Sequence, residues 1–193
     1  MKTIMAWIGL ATLFATLQGC GYNTIQAQDE AVNATHSQLL SVYKKRADLI
    51  PNLVEVVKGE ANFEKSTLEA VVNARAKATQ VILPTDASPE QVKAFMAAQK
   101  EVGTGLARLL AVSENYPQLK ANAGFADLRK QLGEVESQAT AARNKYIRSI
   151  QAYNVTVRNW WNWIGVSMSG AKVKQQMQFE DEAAIKQTPQ VKF

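Results

Sequence analysis

The chain has 193 residues, of which 47% are hydrophobic and 20% are charged, a composition that suits one globular domain and argues against wholesale disorder. It contains one cysteine and one histidine, which excludes an internal disulfide and a histidine-based metal cluster, and we predict no metal and no cofactor. The net charge is +5 and basic residues alternate with acidic ones, a pattern typical of solvated helix faces and not of a nucleic-acid-binding stripe.

Residues 1–19 have the pattern of a bacterial lipoprotein signal peptide. Lys2 supplies a positive charge, and the apolar stretch at residues 4–17 would be roughly 21 Å long as a helix, too short for a bilayer core of about 30 Å. The leader ends in Leu17-Gln18-Gly19-Cys20, which resembles a lipobox, the motif whose cysteine receives a diacylglyceryl group. We therefore predict cleavage before Cys20 and lipid attachment at that residue, with an uncleaved anchor as the alternative.

The mature part, residues 20–193, is predicted to begin with two helical tracts. The first covers residues 22–58 and is interrupted by Pro51, because proline cannot donate a hydrogen bond to the carbonyl of Ala47 and should kink the helix nearby. Gly59 offers a stop and Asn62 a new N-cap, although the apolar spacing also fits one continuous helix. The second tract, residues 62–81, places three apolar side chains on one face: Leu68, Val71 and Val72.

A loop at residues 84–87 precedes the third predicted helix. The run Ser88-Pro89-Glu90-Gln91 predicts its start, since serine caps a helix, proline suits the first position and glutamine reaches back to the capping residue. The helix should end at Tyr116-Pro117. Its predicted apolar face consists of Val92, Phe95, Met96, Val102, Leu106, Leu109 and Leu110.

The fourth tract, residues 122–160, has the clearest pattern. Apolar residues recur at steps of three and four, which keeps one stripe facing a partner helix and predicts antiparallel packing at shallow angles. The tail at residues 165–193 is polar and is predicted to be irregular. The sequence thus predicts an all-α fold, a long antiparallel bundle of three to four helices after a signal segment. The stripe consists of Phe125, Leu128, Leu132, Val135, Ala139, Ala142, Tyr146, Ile150, Tyr153 and Val157.

Several motifs resemble those of the LemA family. The most specific is Arg46-Ala47-Asp48-Leu49-Ile50-Pro51-Asn52-Leu53-Val54, and a second covers residues 106–122. The resemblance extends over residues 22–193 and implies a long antiparallel helical bundle tethered to a membrane, but no reaction. The chain departs from the family pattern at Ile147 and at residues 160–163. Single positions that also fit are Tyr22, Asn23, Phe125, Glu136, Arg143, Tyr146, Tyr153 and Asn154.

Arg46, Asp48 and Asn52 are the candidate partner-binding residues, because they are polar and flank a proline in an otherwise apolar run. The structural interpretation is that they satisfy the backbone groups that Pro51 leaves without a partner and fix the helix register. The functional interpretation is that they recognise the backbone or head group of a partner. His36 lies at helical spacing from apolar neighbours and is predicted to be a packing residue.

Trp160, Trp161 and Trp163 are the candidate membrane-interface residues. Amphipathic aromatic rings beside cations are typical of a membrane interface. The alternative is that the three rings cap the open end of the bundle. The flanking cations are Arg158, Lys172 and Lys174.

The function predicted from the sequence is a lipid-anchored, non-enzymatic scaffold of the bacterial cell envelope that faces the periplasm or the cell exterior. Its expected partners are membrane lipid through acylated Cys20, another envelope protein and further copies of the chain, without nucleic acid. The alternative is a carrier for a lipid or small hydrophobic ligand in a slot lined by Phe95, Leu106 and Tyr146. A hydrolase is disfavoured, since no nucleophile-and-base set such as a G-x-S-x-G turn is visible.

Overall fold

In the computed structural model, the described residues are 2–60 and 62–177, with side chains from residue 21 onward. They form a 3-10 turn at Trp160–Asn162 and helices α1 (Lys2–Lys58), α2 (Lys65–Gln80), α3 (Pro89–Ser113), α4 (Pro117–Ala121), α5 (Ala123–Arg158) and α6 (Trp163–Ser169). No strand occurs among these residues, which confirms the all-α prediction. Cleavage of the leader and a lipid on Cys20 stay predictions, since no side chain before residue 21 is described, and the predicted irregular stretch at residues 178–193 lies outside the described residues.

Helix α1 passes through Pro51 without ending, so the expected interruption there is wrong. The carbonyl of Ala47, which an amide at position 51 would normally satisfy, instead accepts a hydrogen bond of 2.8 Å from the Nε of Arg75 on α2. A side chain from the neighbouring helix thus replaces the missing backbone donor, and the helix tolerates the proline.

Helix α2 is shorter than predicted, and its buried face differs from the prediction. The helix begins at Lys65 with Glu64 as its capping residue, whereas Asn62 was the expected N-cap. Val72 is 45% exposed, which corrects its assignment to the apolar face. The reason is angular, since adjacent helical residues point about 100° apart and Val71 already faces inward. The buried face consists of Thr67, Val71, Ala74 and Ala78.

The start of α3 confirms the predicted capping box. The amide of Gln91 donates to the Oγ of Ser88 at 3.3 Å, and the amide of Ser88 donates to the Oε1 of Gln91 at 2.8 Å. The predicted apolar face is buried except at Met96 and Leu110, which are half-buried. The buried members are Val92, Phe95, Val102, Leu106 and Leu109, joined by Ala98 and Ser113.

Helix α5 carries the predicted stripe almost unchanged. The Oδ1 of Asn122 accepts from the amide of Phe125 at 3.1 Å, which caps the helix where the sequence placed its start. Leu128 and Val157 are half-buried, and Ile147 and Asn154 are buried although the pattern did not include them. The stripe members that the structure buries are Phe125, Leu132, Val135, Ala139, Ala142, Tyr146, Ile150 and Tyr153.

Helices α1 and α5 form one long antiparallel pair, and α2 packs against α3 beside it. The direction follows from contacts in which the residue number rises on α1 and falls on α5: Thr35 with Ser149 at 2.7 Å, Gln38 with Lys145 at 3.1 Å and Arg46 with Glu136 at 2.8 Å. From residue 21 onward, where the side chains are described, no helix is long and apolar enough to cross a bilayer.

The two ends of this pair are covered differently. One apolar cluster lies where α2, α3 and α4 surround the far half of α1, and the other lies nearer residue 21, where the loop before α3 and residues 171–177 complete the core. The irregular tail begins at Gly170 and not at residue 165, because Trp163–Ser169 is helical and Gly170 ends it with a left-handed φ of 64°.

The bond between Arg75 and the Ala47 carbonyl generates a prediction about stability. Arg75→Met should lower the free energy of unfolding by about 1 kcal/mol, because a partly buried carbonyl loses its donor. In a Pro51→Ala background the restored amide serves that carbonyl, so the same change should cost less than about half as much. Urea denaturation of the four chains measures both costs, and equal costs in the two backgrounds would contradict this account of Pro51.

Candidate functional site

The three candidate membrane-interface residues project into solvent. Trp160, Trp161 and Trp163 are 66%, 72% and 66% exposed, so the bundle does not bury them as an end cap. The Oδ1 of Asn159 accepts from the amide of Trp161 at 3.2 Å and holds the turn, in which the rings of Trp160 and Trp161 stack 3.5 Å apart. These rings therefore form an ordered apolar surface, here called the tryptophan segment (residues 160–163).

The tryptophan segment and α6 pack closely against Gly21 and Tyr22 of α1. A Cβ atom on Gly165 would lie 3.0 Å from the amide nitrogen of Tyr22 and 3.1 Å from the carbonyl carbon of Gly21. A Cβ atom on Gly21 would in turn lie 3.0 Å from the Oδ1 of Asn162. The two glycines permit a backbone approach that larger residues would prevent. The tryptophans consequently lie at the same end of the molecule as the residue after Cys20.

Arg46 lies in a second candidate region and joins three helices. Its side chain is buried, and the residue is 4% exposed. From α1 it donates to the Oε1 of Glu136 on α5 at 2.8 Å, to the backbone carbonyl of Gln99 on α3 at 3.0 Å, and to the side-chain oxygen of Gln99. Its guanidinium carbon lies 5.0 Å from the ring centre of Tyr43. Charge-assisted hydrogen bonds and a carboxylate thus compensate a buried cation at the junction of α1, α3 and α5.

The structure does not bring Asp48 and Asn52 into the Arg46 site. Asp48 is exposed and pairs with Lys44 at 3.2 Å, and Asn52 is also exposed. Arg46 and Asp48 both line a neighbouring surface cavity, but the carboxylate of Asp48 pairs with Lys44 and Arg46 donates to Glu136 and Gln99 instead. The expected polar network around Pro51 is corrected accordingly, because Arg75 serves the freed carbonyl. The sequence pattern around Pro51 did not point to Arg75, which lies on another helix.

A surface cleft of about 420 Å³ opens between α3 and α5, with Arg46 and Tyr43 of α1 at its floor. Among the described lining residues, three cationic side chains stand against one carboxylate, so this lining is net positive. Lys100 and Gln99 were missed at the sequence level, while Glu136 and Arg143 appeared as matches to the family pattern. The remaining lining residues are Met96, Gly103, Thr104, Ala107, Ala139 and Thr140.

The tyrosine at the floor of this cleft is held in its neutral form. Burial raises the pKa of Tyr43 above its usual value of 10.0, while the nearby guanidinium groups of Arg143 and Arg46 act in the opposite direction. Burial also raises the pKa of Tyr146. Neither phenol is therefore available as an anionic base or nucleophile near neutral pH.

His36 is a packing residue, as predicted. Its Nε2 lies 2.7 Å from the carbonyl oxygen of Leu83, and its ring contacts the ring of Tyr146 with centres 5.5 Å apart. The histidine ties the loop before α3 to α1. Within residues 21–60 and 62–177, no three His, Cys, Asp or Glu side chains come together as a metal-binding group.

Two Ser-x-x-Lys spacings, which some acyl-transfer enzymes use, occur at Ser41–Lys44 and Ser169–Lys172. In the first, Lys44 forms its ion pair with Asp48. In the second, the hydroxyl of Ser169 donates to the carbonyl of Val166 at 3.3 Å. Neither spacing builds a nucleophile with an adjacent base.

These features define the class of the protein as an elongated all-α bundle with no assembled catalytic centre among its described side chains. The family model described as the LemA family matches residues 35–193, and the chain belongs to that family. This confirms the resemblance found in the motifs.

Curated relatives are similar over most of the chain. Magnetosome protein MamQ 2 of Paramagnetospirillum magneticum is 24% identical over 180 residues, covering 83% of this chain and 66% of the relative. Magnetosome protein MamQ of Magnetospirillum gryphiswaldense is 23% identical over 164 residues, covering 75% of this chain and 60% of the relative. The chain thus spans less than two thirds of the length of these relatives, and their names state no reaction.

The junction around Arg46 generates a second stability prediction. Glu136→Ala should lower the free energy of unfolding by about 2 kcal/mol, because it leaves a buried guanidinium without its carboxylate. In an Arg46→Met background the same change should cost below about 0.5 kcal/mol, since no buried charge remains to be compensated. Chemical denaturation of the double-mutant cycle measures the coupling.

The matched control is Glu134→Ala, which removes an exposed carboxylate from the same helix. Its cost should stay within about 0.5 kcal/mol in both backgrounds. A coupling no larger than that of the control would show that the contact between Arg46 and Glu136 does not stabilise the junction.

Proposed function

We propose that this chain is a lipid-anchored, non-enzymatic helical scaffold of the bacterial cell envelope. Acylated Cys20 attaches it to the membrane, and its helical rod presents charged faces to another envelope protein. The observation that carries the proposal is the clamp between Gly165 and Gly21. It brings the exposed tryptophan segment to the residues that directly follow the lipobox cysteine.

The chemistry of that end supports membrane contact. Tryptophan rings combine a large apolar area with a polar N–H group and prefer the boundary between head groups and acyl chains. Met168 on α6 is 72% exposed and adds apolar area, while Arg158 and Lys172 add exposed cations that suit anionic head groups. Lys174 contributes less, since it is largely covered and pairs with Asp29 at 2.9 Å.

The position of the tryptophan segment beside the membrane anchor is the same whether the leader is cleaved or retained. A lipid on Cys20 and an uncleaved apolar helix would both enter the bilayer immediately before Gly21. In either case the tryptophan segment would meet the interface next to the anchor. A short lipid tether alone leaves a rod free to tilt, and a second contact beside it would restrict that tilt.

The far half of the rod supports a scaffold role. Ion pairs link its helices across the surface, as in Lys77 with Glu101 at 2.8 Å and Arg108 with Glu64 at 3.2 Å. Such exposed pairs add little stability, but they arrange charges of both signs along long helices, which suits docking to another helical protein. A catalytic role would need an activated nucleophile or base, and the described side chains assemble none.

The packing of the core favours the scaffold over the carrier. Phe95, Leu106 and Tyr146, the residues expected to line a ligand slot, are each at most 5% exposed. Phe95 and Tyr146 belong to one apolar cluster and Leu106 to the other. Side chains that already fill two separate cores do not form one slot for a hydrophobic ligand.

Lipid attachment is tested by metabolic labelling with radioactive or clickable palmitate. The full chain should incorporate the label, and Cys20→Ala should lose essentially all of it because the acceptor sulfur is gone. Ser169→Ala is a suitable control, since it removes a hydroxyl from α6 and leaves Cys20 intact. Undiminished labelling of the Cys20→Ala chain would refute acylation at this position.

Membrane contact by the tryptophan segment is tested by fluorescence in vesicles that contain brominated lipids. The full chain carries Trp7→Phe, so that only Trp160, Trp161 and Trp163 emit. Their emission should shift to shorter wavelength and be quenched, because bromine atoms quench only tryptophans that reach the bilayer interface.

The control reports on the far half of the rod. In a chain with all four tryptophans replaced by phenylalanine, Val72→Trp places a single exposed indole on α2. That indole should stay unquenched in the same vesicles. Quenching of the two chains to the same extent, or of neither, would contradict an upright rod held at the tryptophan segment.

A further inference from the structure

After α6 the chain returns along the bundle as a segment without regular secondary structure (residues 171–177), here called the return segment. The side chain of Asn154 on α5 forms two hydrogen bonds with the backbone of Lys174 in this segment. Its Nδ2 donates to the carbonyl at 2.8 Å, and its Oδ1 accepts from the amide at 2.8 Å. The ammonium group of Lys174 pairs with Asp29 on α1. Met177 is 3% exposed in the apolar cluster that also holds Val92 of α3. The return segment is thus fixed between α1, α3 and α5.

The return segment runs toward the α3–α5 cleft. It leaves α6 beside Val166, whose carbonyl accepts from the amide of Ala171 at 3.3 Å, and reaches the level of Asn154 at Lys174. Residue numbers on α5 fall in the direction away from the tryptophan segment. Arg143 and Glu136, which line the cleft from α5, therefore lie further along the same path.

The reach of the chain can be compared with this path. Arg143 lies 11 positions beyond Asn154 on α5, about 16 Å at 1.5 Å per residue, which about five extended residues cover. Glu136 lies 18 positions beyond, about 27 Å, which about eight extended residues cover. Counting from Lys174, an extended chain that continued in this direction would reach the level of the cleft at positions 179–182.

The sequence at residues 179–182 is Phe179-Glu180-Asp181-Glu182, the only place in the chain with three consecutive carboxylates. The described lining of the cleft has Arg46, Lys100 and Arg143 against one carboxylate, that of Glu136. The acidic residues therefore occur at the positions that chain length alone would bring to the cleft, and their charge is opposite to that of its lining. The lining also offers apolar side chains, Met96, Ala107 and Ala139, that match a phenylalanine ring.

We propose that the α3–α5 cleft is a docking site for an acidic peptide and that its resident occupant is residues 179–182 of this chain. The three carboxylates face Lys100 and Arg143, and the Phe179 ring packs on the apolar part of the cleft. The chain then carries its own ligand for this cleft, and an acidic segment of a partner protein would have to displace it. The proposal stands on the body of the bundle and is independent of membrane anchoring.

The test uses a zero-length carbodiimide, which joins a lysine only to a carboxylate in direct contact with it. The full chain is treated in detergent at low protein concentration, and peptides are identified by mass spectrometry. Lys100 should form intramolecular cross-links to Glu180, Asp181 or Glu182. The yield of these cross-links from Lys100 should be at least about fivefold above the yield of cross-links from Lys130 to the same three carboxylates. Lys130 is an exposed lysine elsewhere in the bundle, and exposed charges attract each other appreciably only within about 10 Å.

Charge reversal in the cleft supplies the second measurement. Arg143→Glu should lower the Lys100 yield by about threefold or more, and so should Thr140→Glu, which adds a negative charge without removing a buried contact. Arg148→Glu makes the same charge change on an exposed part of α5 outside the cleft and should leave the yield unchanged. Circular dichroism verifies that each variant keeps its helical content.

Two outcomes would overturn the proposal. Residues 179–182 do not occupy the cleft if the cross-link yield at Lys100 is no higher than that at Lys130. The same conclusion follows if neither Arg143→Glu nor Thr140→Glu changes the Lys100 yield. Cross-links found only in covalent dimers would mean that the acidic segment of a second copy binds there instead. Dilution distinguishes this case, because an intramolecular yield is independent of protein concentration.

Discussion

The unequal lengths of its helices constrain the whole molecule. Helix α5 has 36 residues and would extend over about 54 Å, whereas α3 has 25 and α2 has 16. The long α1–α5 pair therefore carries an apolar seam that α2 and most of α3 cover in its far half, whereas only the first turns of α3, with Val92 and Phe95, reach the near half. The exposed remainder has to be buried by other means, and the loop before α3 and the return segment serve this purpose through Leu83, Ala87 and Met177. Both segments lack the internal hydrogen bonds of a helix.

Polar side chains hold those irregular segments and crossings in place. His36 binds the carbonyl of Leu83, Asn154 binds the backbone of Lys174, Arg75 binds the carbonyl of Ala47, and Arg46 binds the carbonyl of Gln99. In every case a side chain from one helix satisfies a main-chain group of another segment. Apolar burial is non-directional and leaves register open, whereas a hydrogen bond to one carbonyl fixes it. These four polar side chains are thus explained by the positions in which they hold the segments.

The difference between spacing within one helix and contacts between helices explains which features the sequence predicted. The stripe of α5 and the Ser88 capping box were predicted correctly because both depend on spacing within one helix. The exposure of Val72, the start of α2 at Lys65 and the helical α6 were not, since they depend on which neighbour each segment meets. The continuation of α1 through Pro51 is the clearest case, because its explanation lies in Arg75 on another helix. The Arg46 region was recognised as polar and special, but its partners Gln99 and Glu136 come from α3 and α5 and leave no mark in the local pattern.

The separation of the two candidate regions bears on what each can bind. Arg143 and Glu136 lie 15 and 22 residues before Arg158 on α5, which places the cleft about 22–33 Å from the tryptophan segment along the rod. Attraction from charged head groups fades over about 8–10 Å at physiological ionic strength, so a cleft at that distance would not sense the membrane surface. If the tryptophan segment rests on the bilayer, the cleft opens in the aqueous space above it. A cleft with a net positive lining at that distance would favour acidic protein segments over lipid head groups.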